Sequence, residues 1–242
     1  VEVGQNLAPR GEREFDATGC YVTPGFIESH THYDASMWWQ PDLDPLPGYG
    51  ATTMIMGNCG FTMAPLHTDQ QVKDEVMGIF SFFEDIPIGP FKEHVPWNWR
   101  TWSEYRTAFE SRLKVPLNYA SFVGHIPLRL AAMGMDAWDR AATADEIAVM
   151  CELLDDALGA GALGMSDNMH DHDGDNRPVP SLLADDAEYA ALFDTMSKYP
   201  HTCYQVIVDT FMRMNGPANL KRLEGLLKGR LLGLEKETLR MA

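Results

Sequence analysis

Val22-Thr23-Pro24-Gly25-Phe26-Ile27-Glu28-Ser29-His30-Thr31-His32 runs from a Pro-Gly turn through an apolar pair into polar residues, the profile of a buried strand that ends in functional side chains. Side chains at i and i+2 of a strand share a face, so His30 and His32 are expected to point the same way and to serve one metal ion together. Downstream, Ala51-Thr52-Thr53-Met54-Ile55-Met56-Gly57-Asn58-Cys59-Gly60 is β-branched, apolar and closed by glycines, which predicts a neighbouring buried strand. Cys59 then stands at its end as a candidate third ligand. A thiolate beside two imidazoles suits zinc, and three protein ligands with an open position suit a catalytic site better than a structural one.

Further out the same pattern repeats. Apolar runs at Val115–His125, Ala162–Ser166 and Thr202–Asp209 predict three more strands, making about five. A helix is expected near Ser103–Leu113. Another follows the capping box Thr143-Ala144-Asp145-Glu146, carries Ile147, Met150, Leu153, Leu154 and Leu158 on one face, and ends at Gly159 and Gly161. A third is expected near Asp185–Lys198. Alternation of strand and helix from residue 119 onward predicts an α/β fold with a parallel sheet, whose functional groups collect at the carboxyl ends of the strands. The segment between the second and third strands, with four prolines and many aromatics, reads as an elaborated loop before its helix.

The 242 residues include 19 Lys+Arg and 35 Asp+Glu, a net charge of −16. Nucleic-acid binding depends on basic residues that neutralise phosphates, so no nucleic-acid partner is expected. A hydrophobic share of 45% with 20 Gly and 15 Pro is that of a globular chain able to bury a core. Four scattered cysteines without a CxxC make no disulfide framework. With neither a membrane-length apolar run nor a signal pattern, no membrane association is expected and the location is expected to be cytoplasmic. The chain lacks an initiating Met and starts in what reads as a β segment, so it is expected to be a fragment.

The first-strand run, Pro-Gly-hydrophobic-hydrophobic-acid before HxH, resembles the signature of the amidohydrolase superfamily. Gly50-Ala51-Thr52-Thr53 and Gly57-Asn58-Cys59-Gly60, with Val123-Gly124-His125 and Gly161-Ala162-Leu163-Gly164-Met165-Ser166, resemble its D-aminoacylase (N-acyl-D-amino-acid deacylase) branch. The likeness runs from about residue 14 to about 210. It implies a TIM (β/α)8 barrel, incomplete in this chain: residues 1–20 as the remnant of a small N-terminal β domain, and 21–242 as a partial barrel with about strands one to five. It implies a hydrolase of non-peptide C–N bonds that uses one or two zinc ions, or another divalent metal, on a small-molecule amide, and that is a possible homo-oligomer. His30, His32 and Cys59 match the branch's metal ligands. The general-base aspartate is expected downstream of this chain, so no catalytic residue is assigned within it and the fragment alone is expected to be weak or inactive. Gln205 and its neighbours stand where the best-known members place a ligand histidine. That departure favours, as an alternative, an inactive binding or assembly protein; a related cyclic-amide hydrolase with the same metal frame is a further alternative that the sequence does not separate by substrate.

Four further features carry expectations. His125, at the end of the third run, is expected to project toward the metal and contact substrate. The Asp- and His-rich segment Asp167–Asn176 lacks the glycine and glutamate that a calcium loop requires and reads as a solvated loop. The aromatics from Trp97 to Tyr105 read mainly as packing. The tail Leu220–Ala242, with six basic and three acidic residues and leucines at helical spacing, reads as a barrel helix.

Overall fold

The computed structural model describes residues 4, 11, 13, 15–200, 202–207, 221, 222, 224 and 225. Its first strand, β1 (Phe26–Thr31), pairs in parallel with β2 (Ala51–Met56), and β2 pairs in parallel with β3 (Asn118–Ser121). A second parallel set contains β4 (Val123–Gly124), β5 (Gly164–Asn168) and β6 (Cys203–Ile207) in that order. Only Phe122 separates β3 from β4, and its N–H donates to the Met56 carbonyl at 3.0 Å. The two sets therefore form one continuous arc. The third run, expected as one strand, is split there: β3 serves β2 while β4 serves β5.

Parallel neighbours need crossover connections, and helices supply them. They are α1 (Tyr33–Ser36), α2 (Gln70–Glu84), α3 (Ile88–His94), α4 (Trp102–Arg112), α5 (His125–Met133), α6 (Ala144–Gly159) and α7 (Asp186–Met196). This α/β arrangement of strand–helix units along a parallel arc is that of an incomplete (β/α)8 barrel. The capping box predicted for α6 is present: Thr143 Oγ1 accepts from the Glu146 N–H while the Glu146 carboxylate accepts from the Thr143 N–H. Thr101 and Glu104 cap α4 in the same way. Helix α6 packs against α4, α5 and α7.

Four helices lay outside the sequence expectation, the single turn α1 among them. Inside the presumed loop, α2 has Asp69 as its N-cap, whose side chain accepts from the Gln71 N–H, and buries Val72, Val76, Ile79 and Phe80. The following α3 starts after Pro87. Helix α5 follows β4 without a break and is buried from His125 through Ala131. With no side-chain cap at Gly124 and no gap after the strand, nothing local marks where α5 begins.

Close approach decides one glycine. Gly164 has φ +144°, and a Cβ there would fall 1.8 Å from the Cys203 carbonyl oxygen. A side chain at that position would force β5 and β6 apart. The aromatic segment packs as expected: Trp99 and Trp102 are buried, and Trp99 stacks on Trp38 at 5.5 Å and meets Tyr105 at 5.0 Å. Residues 15–25 form no strand, and most of the small β domain expected over 1–20 lies outside the described residues. So does most of the tail helix, although 221, 222, 224 and 225 are helical. Among the described residues no helix is long and apolar enough to cross a membrane.

Candidate metal centre

The centre is built where the carboxyl ends of β1 and β2 meet. Thr31 Oγ1 donates to the Ile55 carbonyl at 2.9 Å, and the buried Asn58 amide donates to the carbonyls of Ile55 (3.1 Å) and Thr31 (3.4 Å). These bonds hold the two strand ends in register. Past β2 the chain turns sharply through Gly57 (φ +75°), Cys59 (φ +60°) and Gly60 (φ +79°). A non-glycine residue in the left-handed region carries strain, of order 1–3 kcal/mol, that persists where surrounding contacts over-determine it, often at functional sites.

Those contacts are present at Cys59. Its N–H donates to Gln205 Oε1 on β6 at 2.9 Å. The next amide, of Gly60, donates to Ser166 Oγ on β5 at 3.1 Å, and Ser166 Oγ donates in turn to the Gly57 carbonyl at 2.6 Å. Gly60 is required here as well, because a Cβ would fall 2.7 Å from the Asn168 nitrogen. The Cys59 turn is thus tied across the arc to β5 and β6.

The turn brings the three predicted ligands together. His30 Nε2 lies 2.9 Å from Cys59 Sγ, and one donor atom from each of His30, His32 and Cys59 lies within 4.8 Å of the others. Around a tetrahedral zinc, with bonds of about 2.0 Å to nitrogen and 2.3 Å to sulfur, donors stand roughly 3.5 Å apart, so the cluster has the right size and donor chemistry. The His32 ring stacks on Phe61 at 4.5 Å. Its Nε2 faces Glu84 Oε1 at 3.4 Å, and its Nδ1 is buried without a hydrogen-bond partner. An orphaned buried imidazole nitrogen is costly in a finished core and is what a metal ligand looks like without its ion. His30, His32, Cys59 and Glu84, with Glu28 and Tyr33, line a pocket of about 390 Å³.

Electrostatics in the pocket disfavour charge. Burial, reinforced by the neighbouring His30, lowers His32 to about 4. Burial, with the charges of Glu84 and Asp171, pushes the Cys59 thiol up to about 12. Beneath them Asp34 is wholly buried; burial raises it to about 7, against the pull of the Met63 N–H that donates to its Oδ2. A divalent cation would reverse this pattern at Cys59, because ligation favours the thiolate, and would reinforce it at His32, which ligates as neutral imidazole.

His125 lies elsewhere. The expectation that it projects toward the metal gives way to a sealed polar network. Its Nδ1 meets Asp167 Oδ1 at 3.1 Å and Ser181 Oγ at 2.9 Å, and its Nε2 meets Glu188 Oε1 at 2.8 Å, all in full burial. Tyr189 and Tyr204 donate to Asp167 Oδ2 at 2.8 and 2.6 Å, and Arg129 pairs with Glu188. Burial opposes a charge on His125, but Asp167 and Glu188 together outweigh it and raise its pKa to about 9. Two carboxylates captured the ring as α5 began, and neither is visible as its neighbour in the linear sequence.

The Asp- and His-rich loop is tied by its own side chains. Asp173 accepts from the amides of Asp175 and Arg177 and pairs with the Arg177 guanidinium at 2.6 Å. Arg177 also reaches Glu75 and lies 4.2 Å over the Trp138 ring. Among the described residues its two histidines join no metal-sized cluster, and His30, His32 and Cys59 form the one that exists. Sequence reasoning missed Glu84, Gln205, Ser166 and Asn58. The first sat in a helix read as loop, and Gln205 was noted only for not being histidine.

Comparison with known proteins meets this site from outside. The chain matches the model of the Amidohydrolase family over residues 13–228. It is 37% identical over 166 residues to an N-acyl-D-aspartate deacylase of Alcaligenes xylosoxydans xylosoxydans, covering 69% of this chain and 30% of that protein. The solved structure of a D-aminoacylase with a binuclear metal center is similar with a TM-score of 0.64 and 29% identity, over 85% of this chain and 38% of that one. An N-acyl-D-glutamate deacylase from Bordetella bronchiseptica, solved with zinc and a phosphonate inhibitor, is similar with a TM-score of 0.66 and 26% identity, over 86% of this chain and 38% of that one. The chain spans about 30% of the length of the curated relatives it matches. A family match covering most of the sequence, on a parallel arc whose first two strand ends converge on two histidines and a cysteine, means that this chain belongs to the amidohydrolase family.

Proposed function

We propose that this chain carries the metal-binding portion of a hydrolase that cleaves non-peptide amide C–N bonds, with N-acyl-D-amino acids as the substrate class. The observation that carries the reading is the convergence of His30, His32 and Cys59 within 4.8 Å at two adjacent strand ends. Similarity to D-aminoacylases and N-acyl-D-amino-acid deacylases supports the substrate class.

His30, His32 and Cys59 would hold zinc or another divalent ion. When bound, such an ion lowers the pKa of water and polarises an amide carbonyl. The protein's own residues prepare the place. Asn58 and Thr31 lock the strand ends, while Gln205 and Ser166 hold the Cys59 turn. Phe61 fixes the His32 plane and excludes water from one of its faces. His125 is assigned a supporting role, because its ring is sealed between Asp167 and Glu188 and its effect on a substrate would pass through β5.

The test uses the protein as its organism makes it. Metal analysis is expected to find a bound divalent ion, and release of free amino acid from N-acyl-D-amino acids is expected to be lost in His30→Ala and Cys59→Ala. A zinc-loaded protein that leaves N-acyl-D-amino acids intact would overturn the substrate class. Full activity in Cys59→Ala would overturn the assignment of the site.

A further inference from the structure

We propose that Asp34 is a positioning residue of the metal centre, whose carboxylate fixes the turn that carries Cys59 against the segment that carries His32. This inference rests on the metal-site reading above and concerns a side chain outside the donor set. Asp34 is the second residue of α1, two after His32, and is buried. Its Oδ2 accepts from the Met63 N–H at 3.2 Å. Met63 stands four residues after Cys59, so the bond reaches the far end of the Cys59 turn.

Two ties bracket the ligands. Ahead of them, the Asn58 side-chain amide donates to the Thr31 carbonyl at 3.4 Å, and these two residues immediately precede Cys59 and His32. Behind them, Asp34 joins Met63. His32 and Cys59 therefore lie on two lengths of chain fastened to each other at both ends, and Asp34 makes the second fastening. That fastening is itself anchored around α4. The Tyr105 hydroxyl donates to the Asp34 carbonyl at 2.7 Å, and Trp99 Nε1 donates to the Met63 carbonyl at 2.8 Å. The Trp99 and Tyr105 rings meet at 5.0 Å, so the two anchors are packed as one unit.

Service to its own helix does not account for Asp34. Helix α1 is a single turn of four residues, and an acid in a first turn gains about 0.3–1 kcal/mol from the helix dipole. Burying a carboxyl group whose second oxygen, Oδ1, has no hydrogen-bond partner costs more than that. What the burial provides is an acceptor for the Met63 N–H, in a segment where Cys59 and Gly60 hold φ of +60° and +79°. A strained turn relaxes when a contact that determines it is removed. Without this acceptor the Cys59 thiol shifts relative to both imidazoles. Because one oxygen alone is engaged, the role calls for an acceptor of this shape and not for a charge, so asparagine can fill it.

The experiment is a Co²⁺ titration of the protein as its organism makes it, freed of metal, followed by the thiolate-to-cobalt charge-transfer band and by competition with a chromophoric chelator. It compares wild type, Asp34→Asn, Asp34→Leu, Asp34→Ala and His30→Ala, with circular dichroism to verify the fold. Asp34→Leu keeps the volume and Asp34→Ala avoids any crowding; both lack the acceptor. These two are expected to bind Co²⁺ about ten- to a hundredfold more weakly, in the range typical of disturbed metal surroundings, and to show a displaced band at saturating Co²⁺. Asp34→Asn is expected to restore both affinity and band. A side chain that served the fold alone would lower the unfolding midpoint and leave the band in place. An unmoved band at saturation in folded Asp34→Leu or Asp34→Ala, an Asp34→Asn as impaired as they are, or loss of the fold in both overturns the proposal. Failure of wild type to bind Co²⁺, or undiminished binding in His30→Ala, overturns the underlying metal reading instead.

Discussion

Two polar residues, half-buried Gln205 and fully buried His125, act on different properties of the molecule, the first on the site and the second on stability. Gln205 acts at a distance of 146 residues in sequence, through one hydrogen bond to the strained Cys59 amide. Removing it leaves that amide without its acceptor and frees the turn. Gln205→Ala is therefore expected to weaken divalent-metal affinity about tenfold while the far-ultraviolet circular dichroism stays unchanged; equal affinity would show that the turn holds Cys59 unaided. His125 acts on stability. Its folded pKa of about 9 stands above the ordinary value of 6.5, so its contribution is complete below about pH 6.5 and is lost as pH rises through 9. Asp167 is held below its ordinary range: burial alone raises it, but charged His125 and the hydroxyls of Tyr204 and Tyr189 outweigh that. Its contribution is present above about pH 4 and is lost in acid. His125→Asn leaves Asp167 buried without its cation, while Glu188 keeps Arg129. It is expected to cost roughly 3–5 kcal/mol at pH 6 and to remove the decline in urea midpoint that wild type shows between pH 6.5 and 9. A variant that keeps the decline would place its origin in another group.

At the scale of elements, α2 and α6 make a useful contrast. Both are capped by side chains, but only α2 touches the site, through Phe61. Phe61→Ala removes a buried ring at the junction of His32, Phe80 and Phe83, and a loss of about 3–5 kcal/mol is expected, together with weaker metal binding. Thr143→Ala, which breaks the α6 capping box, is expected to cost about 1 kcal/mol in chemical denaturation and to leave metal affinity unchanged. A Thr143→Ala variant with impaired metal binding would contradict this separation of roles. The same contrast explains what could be read in advance. The capping box and the leucine face made α6 legible, and β1 and β2 were legible as strands because turn residues bound their apolar runs, although β1 is exposed from Phe26 to His30 and not buried as its apolar pair suggests. Helix α5 was not, since it follows β4 with neither a gap nor a side-chain cap to mark its start. Helix α2 carried its cap at Asp69 and its apolar period, but prolines and aromatics around it suggested loop. Local pattern placed His30, His32 and Cys59 correctly at strand ends. It could not reveal Glu84 or Gln205, whose neighbours are brought in by tertiary folding.

For the whole molecule, the parallel arc gathers donors that are 29 residues apart in sequence, His30 and Cys59, into contact. The arc is held by strand pairing, by glycines that admit close backbone approach, and by buried polar bridges from β5 and β6 to the Cys59 turn. Because an ion would bind the folded arrangement and not the dispersed donors of the unfolded chain, metal and fold are linked. Zinc at a hundred times its dissociation constant is expected to add about 2.7 kcal/mol of stability, and a chelator is expected to lower the thermal midpoint of metal-loaded protein. The central claim is that His30, His32 and Cys59 form one metal site with a thiolate ligand. Its most direct test is the near-ultraviolet spectrum of the Co²⁺-substituted protein, compared between wild type and Cys59→Ser. Wild type is expected to take up Co²⁺ with a thiolate-to-cobalt charge-transfer band that is absent in Cys59→Ser; no such band in wild type, or the same band in Cys59→Ser, would contradict the account.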